Sequence, residues 1–93
     1  MAKETLSGCK FVAKNGKIEE VVINGRFKKS NRLFKEFEND VIELSKTEPV
    51  VVNYAIVEDA ETGKVKRYVK TVNTANGTTH DHVVVDREVQ ING

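Results

Sequence analysis

The chain has ninety-three residues, of which 39% are hydrophobic and 31% charged, and its fifteen Lys and Arg against fourteen Asp and Glu leave a net charge of +1. That length supplies one core and excludes a catalytic cleft between two domains, while the apolar fraction excludes a disordered chain. The near-neutral balance excludes the global positive field of a dedicated nucleic-acid binder, so any basic surface is local.

Residues 1–7 carry no apolar run of the signal-peptide kind and are expected to form a flexible lead-in. Nothing approaches the ~20 apolar residues of a membrane helix, so no membrane partner is expected. The lone Cys9 cannot form an intramolecular disulfide, which suits a reducing compartment and makes the cytoplasm the expected location. The first structural signal is Asn15-Gly16, a pair that tolerates positive φ and sits between two apolar runs. With that pair as the turn, Ala13 faces Ile18, Phe11 faces Glu20 and Cys9 faces Val22, giving a ribbon apolar on one side except at Glu20.

Asn24-Gly25 ends the hairpin, and Ser30 or Asn31 is the expected N-cap of a helix. Leu33, Phe34, Phe37, Val41 and Leu44 fall in a stripe about 100° wide opposite Lys35, Glu36, Asn39 and Glu43. Pro49 ends the helix and opens a strand over Val50 to Val57. Asp59 to Gly63 then turns the chain into a strand from Lys64 to Val72. Asn73 to Asp81 reads as a polar loop, and His82 to Ile91 as a last strand with Val83, Val85, Val89 and Ile91 on one face and Arg87 interrupting it. The expected fold is one α+β domain over residues 1–93: an antiparallel sheet of about five strands, in the order ββαβββ, with one helix across one face.

Four places carry chemistry-bearing residues. His80 and His82, at i and i+2 in a strand, project to one side and can share a metal, with Asp86, Asp59 or Glu58 as further oxygen donors. A catalytic zinc takes about three protein ligands and a structural one about four, so the pair alone is read as a polar loop entering a strand, and no cofactor is expected. Lys66, Tyr68 and Lys70 alternate along the fourth strand and on an ideal strand share a face, an aromatic ring between two cations, which is an arrangement suited to a single-stranded nucleic acid. Arg26, Lys28, Lys29 and Arg32 cluster at the helix start, where the dipole already favours anions.

The last place is the third strand, apolar on both sides, where Val51, Ala55 and Val57 on the side away from Val50, Val52, Tyr54 and Ile56 need a cover that one helix cannot supply. No nucleophile elbow, phosphate loop or zinc-ligand spacing is present. The leading expectation is a non-catalytic binding module working through protein contacts, as a dimer, an adaptor or an inhibitor of a larger machine such as a bacterial or phage accessory protein. Nucleic-acid binding or mimicry through the basic patches comes second, and metal-dependent activity at His80 and His82 last.

Overall fold

The computed structural model describes residues 3–85 and 89–91. Five strands and one helix follow in the order β1 (Glu4–Lys14), β2 (Lys17–Asn24), α1 (Arg32–Ser45), β3 (Val50–Asp59), β4 (Val65–Thr74) and β5 (Gly77–Val84). All strand pairs are antiparallel in one sheet ordered β2-β1-β3-β4-β5, so the helix carries the chain from edge strand β2 over β1 to β3. The ββαβββ, α+β expectation therefore holds.

The Asn15-Gly16 turn forms as expected, with both residues at positive φ (56° and 75°), the combination that matches the twist of the flanking strands. The register beyond it does not follow the simple count. Ala13 faces Ile18, but a bulge between Val12 and Ala13 then sets Phe11 against Val21 and Cys9 against Ile23. One extra residue in β2 turns Glu20 outward and brings Val21 and Ile23 against the core, avoiding a carboxylate buried among Phe11 and its neighbours.

Asn31 is the N-cap. Its Oδ1 accepts the Leu33 N–H at 2.8 Å, while its Nδ2 donates to the carbonyls of Gln90 at 2.7 Å and Ile91 at 3.1 Å. One buried carboxamide thus starts the helix and holds the last described segment against it. At the other end the Gly16 N–H donates to the Ser45 carbonyl at 3.3 Å, so the first hairpin turn satisfies one of the orphan carbonyls of the helix.

Leu33, Phe34, Phe37 and Val41 are buried as the stripe requires, and Leu44 packs partly buried at its margin. Phe37 stacks on Tyr54 with ring centroids 3.8 Å apart and meets Tyr68 edge-on at 4.9 Å. Phe11, Phe27 and Phe34 complete the aromatic core, and Val65, Val89 and Ile91 close its end. Where β1 pairs with β3, Gly8 lies so close that a Cβ would stand 2.6 Å from the Tyr54 carbonyl oxygen, which explains a glycine inside a strand.

Three expectations are corrected. Glu4 to Ser7 belong to β1, paired with Ile56 to Asp59, so the flexible lead-in expected over residues 1–7 is strand from Glu4 onward. Asn73 to Asp81 is not a loop: β4 continues to Thr74, Ala75 and Asn76 turn, and Thr78 to Asp81 lie in β5. The last strand ends at Val84, and Val89 and Ile91 enter the core from a separate segment, tied by Val65 N–H to Val89 C=O and Ile91 N–H to Gly63 C=O, each 2.8 Å. Arg87 lies outside the described residues.

Candidate interaction surface

The helix packs on β1, β2 and β3, and β5 contacts only β4 among these elements. Among the described residues no helix or strand covers the opposite face of the sheet. Because the strand period is two, the register specifies that face. One row across it reads Val22, Lys10, Asn53, Thr71, His80; the next reads Asn24, Gly8, Ala55, Val69, His82; the third reads Leu6, Val57, Arg67, Val84.

The expected interface residues Val51, Ala55 and Val57 all lie on this face, with Asn53 between the first two. Val57 is itself only 8% exposed, flanked by Leu6 and Arg67, whereas Leu6 and Val84 in the same row are 73% and 75% exposed. Gly8 and Ala55 leave the middle row low, forming a depression of about 300 Å³ whose lining includes Leu6, Asn24 and Asn53. Asn53 and Lys10 make no side-chain hydrogen bond among the described residues.

Asn53 is the residue that sequence reading passed over. An asparagine in the middle of a central strand is disfavoured, and that mismatch was the available signal.

His80 and His82 do share this face. His80 Nδ1 is 3.0 Å from Thr71 Oγ1, and His82 stands opposite Val69. Through Thr71, His80 is level with Asn53, whereas Glu58 and Asp59 lie at the far end of β3, so the fold does not bring those carboxyl groups to the pair. Asp86 lies outside the described residues. Among the described residues no group of three or more His, Cys, Asp and Glu is placed to hold a metal ion.

The alternating stripe on β4 is not assembled. A bulge between Val57 and Glu58 sets Val65 opposite Glu58 on the core side. Lys66 instead ion-pairs with Glu4 at 3.2 Å, a carboxyl group shared with Arg67 at 3.2 Å. Lys66 therefore does not share a face with Tyr68 and Lys70. The Tyr68 ring packs against Phe37 and Tyr54, and Lys70 pairs with Asp40.

Hydrogen bonds from Arg67, then Lys66, hold the Glu4 carboxyl below its ordinary range. Burial first, and the nearby Asp40 second, push the Tyr54 phenol up.

In the basic cluster at the helix start, Arg26 turns inward to Glu58, 3.8 Å away. Glu58 is fully buried and accepts from Thr5 Oγ1 at 2.7 Å and Ser7 Oγ at 3.1 Å, while Ser7 Oγ also accepts the Arg26 N–H. This network ties β1, β3 and the end of the first hairpin. Lys28, Lys29 and Arg32 are exposed.

No helix of the described residues is long and apolar enough to cross a membrane. Comparison with family models, curated proteins and solved structures finds no match to this chain.

Proposed function

We propose that the chain is a non-catalytic binding module that docks a folded protein on the uncovered face of its sheet. The observation that carries this reading is the row Leu6, Val57, Arg67, Val84, where two large apolar side chains stand about three-quarters exposed beside a low floor and a line of hydrogen-bonding groups. An apolar centre edged by polar groups free to pair outward is the composition of a protein interface.

Charge favours a protein over a polyanion. Lys66 and Arg67 share the Glu4 carboxylate, Lys70 pairs with Asp40, and Arg26 faces Glu58, so these four cations already have acidic partners. Binding of a phosphate backbone draws on cations that are free to displace counterions.

The test is capture by the immobilised chain from nuclease-treated lysate of the source cells, with Leu6→Arg and Val84→Arg compared against Lys35→Glu on the outer side of α1. A partner retained by the parent and by Lys35→Glu, but lost in both arginine variants, is the expected result. Capture that disappears with nuclease, or that ignores the two arginines, overturns the reading.

A further inference from the structure

The two edges of the sheet are unlike. β2 is blunted in the ways that keep edges from pairing: it carries Lys17, Glu19 and Glu20 and is broken in register by the bulge opposite Val12 and Ala13. β5 has no bulge and carries one charged side chain, Asp81. It pairs with β4 in unbroken register over all eight residues, contains no Lys, Arg or Pro, and is exposed from Gly77 to His82. Among the described residues nothing pairs its outer edge.

We propose that β5 pairs with β5 of a second copy, joining two sheets into one of ten strands about a two-fold axis perpendicular to the sheet. Such an axis keeps the helix side of one copy with the helix side of the other, so each β5 residue meets a residue of the same facing. The axis must then pass through a residue position and not between two. Centring on Thr79 or His82 pairs only part of β5, because one side runs into the Ala75-Asn76 turn or past Val84. Two centres allow a long ladder.

Centring on Asp81 sets two like carboxyl groups directly opposite one another, which is destabilising. Centring on His80 avoids this. It sets Asp81 against Thr79 of the other copy, where a hydroxyl donates to the carboxyl group, and His82 against Thr78, with Val83 over Gly77. Each favourable pair occurs twice by symmetry. This self-complementarity selects a second copy over an unrelated strand. The dimer also sets two uncovered sheet faces side by side. It stands independently of the protein-docking reading above.

The register is testable because only a residue on the two-fold axis meets its own copy. Opposed residues in an antiparallel pair have Cα atoms about 4.5–5.5 Å apart, inside the range a disulfide spans. In His80→Cys, mild oxidation is expected to crosslink the dimer, whereas Thr79→Cys and Asp81→Cys, each tried alone, are expected not to. The native Cys9 does not interfere, because it is buried and its thiol is pushed up to about 12 by that burial.

Sedimentation of the parent in EDTA, from micromolar to millimolar chain, is expected to show a dimer that His80→Lys converts to monomer and Leu6→Lys leaves intact. Circular dichroism confirms that both variants are folded. A monomer throughout, a dimer dissolved by EDTA, a dimer broken by Leu6→Lys but not by His80→Lys, or crosslinking at 79 or 81 in place of 80 would each overturn the proposal.

Discussion

Replacing Asn31 by Asp separates two accounts of the same residue. As helix N-caps the two are equivalent, and a carboxylate at a helix N-terminus gains ~0.3–1 kcal/mol from the dipole, so capping alone expects no loss. The structure expects a large one. Asn31 Nδ2 donates to the Gln90 and Ile91 carbonyls, and Asp puts an oxygen in its place.

Two hydrogen bonds are lost at ~1 kcal/mol each, and a buried carbonyl left without a donor costs ~1–3 kcal/mol more. A carboxylate facing two carbonyl oxygens in a site where Asn31 is 1% exposed adds to this, so the net loss is about 3–5 kcal/mol against a total of roughly 5–14 kcal/mol. Asn31→Ser, which keeps the cap but not the donor, should lose ~2–3 kcal/mol. Urea unfolding followed by far-UV circular dichroism measures both. With a slope of ~1–2 kcal/mol per molar, the Asp variant's midpoint falls by roughly 1.5 M or more. An Asp variant within ~0.5 kcal/mol of the parent would refute the clamp and leave Asn31 a simple cap.

Phe37→Ala removes a ring stacked on Tyr54 and touching Tyr68 and Phe27, so it should cost ~3–5 kcal/mol by the same unfolding assay, with Phe37→Leu losing less than half as much. The acid limb of stability should depend on Glu4 and Asp59, both held below their ordinary values of 4.5 and 3.8, Glu4 by Arg67 and Lys66 and Asp59 by the backbone N–H groups of Thr62 and Glu61. A depressed carboxyl group contributes stability that is fully present above its unfolded value and lost as pH falls through its folded one. Thermal stability should therefore decline from about pH 5 downward, and Glu4→Gln should flatten part of that decline.

Much of the architecture was legible because it is written in local patterns. Asn15-Gly16 specifies a tight hairpin by its tolerance of positive φ, and the spacing of Leu33, Phe34, Phe37 and Val41 specifies a helix with one buried face. Pro49 and the β-branched run after it specify the next strand. Each of these signals is complete within a dozen residues. What only the tertiary structure decided are features whose cause lies across the sheet. The bulge in β2 exists because the core accepts Val21 and Ile23 and rejects Glu20, and the bulge in β4 because Val65 fills the core opposite Glu58. That second bulge separates Lys66 from Tyr68, which no period-two count along one strand reveals. The first part of β5, Gly77 to Asp81, reads as loop because both of its sides face water, so it carries no alternation of apolar and polar residues until β4 supplies the hydrogen bonds. Asn31 and Glu58 were legible as polar residues, but their burial and partners depend on segments more than fifty residues away in sequence.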